Sequence, residues 1–145
     1  YVSLNHPDRE GRIIVPHTLV YSGLRWHVRA WCEKNSGYRD FVLSRFRGIP
    51  EIMDESAHGV DGDTEWNTRV VVRIAPDPRL SREQREVVEV DYGMEKGVLE
   101  IATRARLVPY VLQLLHIEPD TLTEDATAQQ IVVENRTELA PWLFG

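Results

Sequence analysis

Arg25-Trp26-His27-Val28-Arg29-Ala30-Trp31-Cys32-Glu33 is the stretch from which the fold of this chain is read. Extended backbone sends successive side chains to opposite faces of a sheet. Trp26, Val28 and Ala30 then share one face, and Arg25, His27 and Arg29 share the other. The first set is apolar enough to line a small core. The second sets an imidazole between two guanidinium groups, whose forks match phosphate and carboxylate oxygens. One strand thus predicts a core face and an anion-holding face.

Outward from this strand the pattern stays short and extended. Ser22-Gly23 signals a turn before it, and Lys34-Asn35-Ser36-Gly37 is a polar connection of hairpin length after it. Tyr38–Phe46 returns as the partner strand. Upstream, Arg12–Val15 begins a strand, Pro16 ends or bends it, and Thr18–Tyr21 is β-branched or aromatic. Several short strands in residues 1–48 predict a small β-barrel without a hollow interior. Residues 49–67 are rich in Gly, Asp, Glu and Ser with little periodicity, which predicts a linker. One exposed helical turn is expected at Ile49–Glu55, with Trp66 as an anchoring residue.

Residues 68–145 alternate element types. Thr68–Ala75 is a valine-rich strand, Pro76-Asp77-Pro78 breaks it, and Ser81-Arg82-Glu83-Gln84 has capping-box spacing for a helix. Val87–Tyr92 either ends that helix or begins a strand. Gly93 and Gly97 bracket a turn, and Val98–Ala105 reads as a strand. Arg106–Ile117 has a wide apolar face at helical period, with Pro109 tolerated in its first turn. Gln130–Glu134 is a final strand. The order β-α-β-β-α-β predicts a ferredoxin-like domain, so the whole is a mixed α/β chain of two small domains.

Composition bounds the function. The 145 residues carry a formal net charge of −6, but Tyr1–Gly48 holds eight Arg/Lys against four Asp/Glu, while the remainder holds nine against nineteen. A basic first part joined to an acidic second part suggests modules with different partners. Seven of those eight basic residues are arginine, which favours bidentate recognition over simple solubilisation. No apolar run approaches the roughly 18 residues of a membrane span. No basic-then-apolar leader opens the chain, and a start at Tyr1 reads as a piece of a longer protein. Cys32 is the only cysteine, which excludes an internal disulfide and a Cys-based metal site, so a reducing cytoplasm is expected. Nothing calls for a cofactor or a metal.

Arg12-Ile13-Ile14-Val15-Pro16-His17, Arg25-Trp26-His27-Val28-Arg29-Ala30 and Tyr38-Arg39-Asp40-Phe41-Val42-Leu43-Ser44-Arg45-Phe46 resemble the WYL domain of bacterial transcriptional regulators. The branch most similar lies beside phage-defence systems of the BREX and CBASS kinds. The name-giving Trp-Tyr-Leu triplet stands here as Trp26-His27-Val28, keeping a polar ring at its centre. Arg85–Met94 is similar to the C-terminal extension, WCX, that follows WYL in such regulators. The resemblance implies an Sm/SH3-like barrel for 1–48, a WCX-like dimerisation and transmission domain for 68–145, a homodimer, and operator DNA bound by an N-terminal winged helix-turn-helix outside these residues.

The expected ligand site gathers Ser3, Arg12, His17, Tyr21, Arg25, His27, Arg29, Arg39 and Arg45. These donors suit a nucleotide, an oligonucleotide end or another anionic effector, with Tyr21 or a histidine stacking on a base. The bland alternative is a solvated strand face. Asp40 offers Arg39 or Arg45 a neutralising partner. Arg39 and Arg45 share parity with Phe41 and Leu43, so a bulge or strong twist is needed to turn them into a cleft. His17, after Pro16, serves equally well as a partner for a buried backbone group. His27, flanked by two cations, is expected neutral. Cys32 reads as a small buried residue rather than a nucleophile, the tryptophans as packing residues, and helix 106–117 as core before dimer face. Asn135-Arg136-Thr137 matches a glycosylation acceptor, without weight in the absence of a secretory signal.

Three functions compete. The first is a non-enzymatic sensor whose anionic ligand shifts a repressor between DNA-bound and released forms. The second is a phosphodiesterase using His17 and His27; it is disfavoured, because no duplicated His-x-Thr and no His-Glu-x-x-His spacing occurs. The third is an Sm-like RNA or single-stranded DNA module without small-molecule sensing, recognised by binding that grows with strand length.

Overall fold

The valine-, aromatic- and arginine-patterned runs form two separate three-stranded antiparallel sheets, ordered β1-β2-β3 and β5-β4-β6. The computed structural model describes residues 1–8, 11–118 and 125–143. The chain divides into units at Tyr1–Thr64 and Glu65–Gly145, each with its own sheet.

In the first unit, β1 (Ile14–Tyr21), β2 (Trp26–Cys32) and β3 (Gly37–Val42) form a meander. Pro16 does not end β1. It is accommodated because β1 is an edge strand, where one ladder hydrogen bond is dispensable. The register instead slips between Pro16 and Thr18, which pair with Ala30 and Arg29, leaving His17 as the extra residue of a bulge. A short 3-10 turn, Leu43–Arg45, follows β3. Strands β1 and β3 both remain edges, so the expected barrel is an open sheet here.

One face of that sheet is the core expected from the alternation. Val28, Ala30, Cys32 and Phe41 are buried on it, with Tyr1 and Ile14 packed alongside. Tyr1 sets its ring edge-on to Phe41 and Phe46 and accepts a hydrogen bond from the Val42 amide. Trp26 is the exception. It begins the strand, lies 52% exposed, and leans on Tyr21 across the hairpin.

Residues 49–62 are exposed throughout, and the helical turn expected at Ile49–Glu55 is absent. Pro50 disfavours helical backbone at Ile49, and nothing apolar repeats there to reward a helix. The helical turns come later, as a 3-10 turn at Val60–Gly62 and the short helix α1 (Thr64–Asn67). Trp66 is buried as expected, with the Arg104 guanidinium 4.7 Å over its ring.

The second unit runs β4 (Arg69–Pro76), α2 (Arg82–Asp91), β5 (Leu99–Arg104), α3 (Val108–Leu114), α4 (Ala126–Gln129), β6 (Ile131–Val133) and α5 (Arg136–Leu143). Ser81 and Gln84 make the full capping box, so α2 starts where the spacing predicts. That helix then runs through Val87–Asp91, which removes one strand from the ferredoxin-like order. Among the described residues the sheet has three strands with β4 central. A Lys96-Gly97 turn, both residues at positive φ, pairs Glu95 with Val98 and leads into β5. Val72, Ile74, Leu80, Val88, Val108, Leu112, Ile117, Ile131 and Leu139 form one core cluster drawn from sheet and helices. Each such aliphatic side chain contributes about 1.5–3 kcal/mol by leaving water. Helix α3 is therefore core, as expected. The Asn135 amide is engaged too, donating to the Val71 carbonyl and accepting from the Arg73 amide.

Candidate functional site

Strand alternation and the observed register separate the expected site residues. On β2, His27, Arg29 and Trp31 face away from the Phe41 core. Arg29 stands opposite Thr18 on β1 and Asp40 on β3, and Trp31 stands opposite Val15 and Tyr38. Because β3 pairs with β2 without a slip, Arg39 keeps the parity of Phe41 and lies exposed on the other side of the sheet. The bulge that would have turned Arg39 inward is in β1 instead, where it serves His17.

The Arg29 face is not an open anion cleft. Arg29 is 2% exposed, and its guanidinium is held within the protein. Nε donates to Asp63 Oδ2 at 2.7 Å and Nη2 to Asp63 Oδ1 at 3.0 Å, a bidentate pair. Nη1 donates to Asp40 Oδ1 at 3.2 Å. Asp40 therefore neutralises Arg29, not Arg39 or Arg45. His17 completes the group, with Nε2 2.9 Å from the same Asp63 Oδ2 and Nδ1 2.8 Å from the Thr18 hydroxyl. A carboxylate can only accept, so Nε2 carries the proton in this arrangement. Its partner is a side-chain carboxylate rather than a backbone group.

Burial alone would pull the Arg29 guanidinium down. The hydrogen bonds and negative charges of Asp63 and Asp40 outweigh it and hold Arg29 above the ordinary guanidinium value. It stays charged at any pH in which the fold exists. An ion pair this buried adds little net stability, but removing one partner strands the other in low dielectric.

A segment that the sequence presents as linker closes this face. His58 stacks flat on Trp31, with ring centroids 3.9 Å apart and planes 3° off parallel. Tyr38 donates its hydroxyl to the Gly59 carbonyl at 2.6 Å. Gly62 passes so close that a Cβ there would meet the Tyr38 hydroxyl oxygen at 2.8 Å, so a larger residue would have to push the Tyr38 ring aside. Asp63 follows, buried against Arg29 and His17. Sequence reasoning missed Asp63, Tyr38 and His58. The available signal was indirect: an arginine on a central strand must find a carboxylate if that face is covered.

The remaining expected residues lie elsewhere. Arg12 donates to Asn35 Oδ1 at 3.3 Å, and its guanidinium lies 6.0 Å from the centre of the Tyr1 ring. Ser3 accepts from the His6 amide in the N-terminal segment. Tyr21 is exposed and bonds to the Gly23 carbonyl in its own hairpin turn, and Arg25 is exposed beside that turn. Arg45 sits half-buried in the 3-10 turn, its carbonyl accepting from the Val2 amide. His27 is buried at 2% exposure on the Arg29 face. The structure thus joins His17 and Arg29 through Asp63, puts His27 on their face, and disperses the others. The shared cleft of unneutralised cations is not formed. Among the described residues, no group of three or more His, Cys, Asp or Glu is placed to hold a metal ion. No helix there is long and apolar enough to cross a membrane.

Comparison with known proteins adds two family matches. Residues 1–50 are similar to the WYL domain, and residues 69–139 to the C-terminal dimerization domain of the BrxR transcriptional regulator. Relatives called DNA-binding transcriptional repressor CapW match nearly the whole chain. The one from Stenotrophomonas maltophilia is 37% identical over 145 residues, 99% of this chain and 48% of the relative. The one from Pseudomonas aeruginosa is 36% identical over 139 residues, 96% of this chain and 46% of the relative. An Escherichia coli relative is 34% identical with the same coverage, 96% and 46%. The chain thus spans about half the length of the curated relatives it matches.

Proposed function

The chain belongs to the WYL-domain family, with a BrxR-type C-terminal dimerization domain behind its WYL domain, and on that premise we propose that it is the sensing and dimerising part of a transcriptional repressor. The observation that carries this reading is the collinear match, over 139 to 145 residues, to repressors called CapW. Residues 1–48 supply the open three-stranded WYL sheet, 49–67 the segment that covers one face of it and leads onward, and 68–145 the dimerising domain. Operator DNA is bound by the part of the regulator that this chain does not span. The role is non-enzymatic.

The effector is anionic and nucleotide-like. Of the nine residues expected to hold it, Arg29, His17 and His27 are retained as its contacts, because they share one face of the sheet, and Ser3, Arg12, Tyr21, Arg25, Arg39 and Arg45 are not. Support comes from the cost of the arrangement: a sheet of three strands buries a guanidinium, an imidazole and two carboxylates where apolar side chains would close the face as well.

Two measurements test the reading. Light scattering on this chain at micromolar concentration should give twice the 16.7 kDa chain mass; a monomer contradicts the dimerising role. A promoter reporter controlled by the intact regulator should be repressed, and repression should be lost when residues 69–139 are deleted. Unchanged repression by the deleted form contradicts the assignment.

A further inference from the structure

Resting on the effector-sensing reading above, we infer that Arg29 and His17 form a seat for a phosphate group, that Asp63 occupies this seat from within, and that the effector acts by displacing Asp63 and freeing the segment from His58 to Asp63. The geometry of the carboxylate is that of a bound oxyanion. Oδ2 takes hydrogen bonds from Arg29 Nε at 2.7 Å and from His17 Nε2 at 2.9 Å, while Oδ1 takes Arg29 Nη2 at 3.0 Å. Two oxygens on one edge of a guanidinium, one shared with an imidazole, is equally the contact a phosphate makes.

The donors are built to stay when Asp63 leaves. Arg29 projects from the central strand, and Asp40, across from it on β3, anchors its third nitrogen at 3.2 Å. His17 is presented by the β1 bulge and tied through Nδ1 to the Thr18 hydroxyl at 2.8 Å. All of these groups lie on strands. Asp63 alone comes from irregular chain, in a stretch whose residues 49–62 are exposed.

The contacts of that segment with the sheet include exposed ones: His58 rests on Trp31 from an exposed position, and the exposed Gly59 accepts at its carbonyl from the Tyr38 hydroxyl. Asp63 is buried and attaches the segment by charge. A phosphate brings an equal or larger negative charge and more oxygens to the same donors, so it competes on their own terms. Covalently, Asp63 runs straight into α1 (Thr64–Asn67) and then β4. Releasing it lengthens the free chain ahead of the second unit, which gives ligand binding a direct outlet.

The test uses the full chain, with inorganic pyrophosphate as the probe. Titration calorimetry compares wild type with Asp63→Asn, which keeps the shape and one acceptor oxygen but removes the competing charge. The variant should bind pyrophosphate at least 10-fold more tightly, and saturating pyrophosphate should raise amide exchange across Gly59–Asp63 in the wild type. A folded variant that binds no tighter overturns the inference, as does the absence of pyrophosphate binding to either protein. If the variant fails to fold, the wild-type exchange decides: faster exchange of 59–63 on binding supports the seat, and unchanged exchange overturns it. A reporter that still responds to its natural inducer, alongside a variant indifferent to pyrophosphate, rejects the seat and leaves the sensing reading standing.

Discussion

The two units solve the same problem in opposite ways. Each has a three-stranded antiparallel sheet with its central strand flanked by two others. In the second unit, helices bring Val88, Val108, Leu112 and Leu139 onto Val72 and Ile74 in one apolar cluster. In the first, the face behind the Phe41 core is closed by a bidentate ion pair, a second carboxylate, an imidazole and two aromatic clips. Apolar closure is non-directional and offers no seat that a single ion could occupy. Closure by charge is directional and open to competition by any ion of matching shape. If Asp63 yields to an effector as inferred above, the second unit persists while the first is interrupted.

The largest effect expected from this contrast is at Arg29. Arg29→Ala leaves Asp63 and Asp40 without their cation in a buried setting and should destabilise the first unit by about 3–5 kcal/mol. Urea unfolding followed by Trp fluorescence measures it, and a loss under 1 kcal/mol would mean that solvent already reaches the pair. Next comes Leu112, 3% exposed in the core of the second unit. Leu112→Ala should cost about 2–5 kcal/mol through lost transfer energy and a cavity. That loss should be insensitive to added pyrophosphate, whereas the stability of the Arg29 region should respond to it.

The smallest effect is on the acid limb of the second unit. Asp77, buried at the end of β4, accepts from the Arg79 amide and forms a bidentate pair with its guanidinium. Hydrogen bonds from the Arg79 side chain outweigh burial and lower the Asp77 carboxyl below its ordinary value of 3.8. The unfolded chain therefore binds the proton more readily, and the Asp77 contribution is complete above 3.8 and fades as pH falls through the lower folded value. Asp77→Asn should flatten the pH–stability curve below the ordinary value of 3.8, as read by thermal unfolding at stepped pH. A curve that keeps its wild-type slope would assign the acid sensitivity to other carboxylates.

What the sequence disclosed follows the range of the physics involved. The β2–β3 hairpin, the Ser81–Gln84 capping box, the apolar stripe of α3 and the burial of Val28, Ala30, Cys32 and Trp66 all rest on neighbours a few residues apart. These were legible. Pro16 misled because its effect depends on whether the strand is an edge, which only the assembled sheet determines. Val87–Tyr92 is ambiguous because a short valine-rich run fits helix and strand alike, and the helix opened at the Ser81 cap, six residues before Val87, carries through it. The site was legible in part. Period-2 alternation put His27 and Arg29 on one face, but could not say what covers that face. The cover is Asp63, 34 residues beyond Arg29, in a stretch with no periodicity. Arg39 was grouped with Arg29 by chemistry, and the unslipped β2–β3 register separates them.

A double-mutant cycle between Arg29 and Asp63, using Arg29→Met, Asp63→Leu and the pair, tests the charged closure most directly. The account predicts that each single change destabilises the first unit by about 3–5 kcal/mol and that the double change recovers most of this, a coupling of several kcal/mol. Additive losses, with a coupling below about 0.5 kcal/mol, would contradict it.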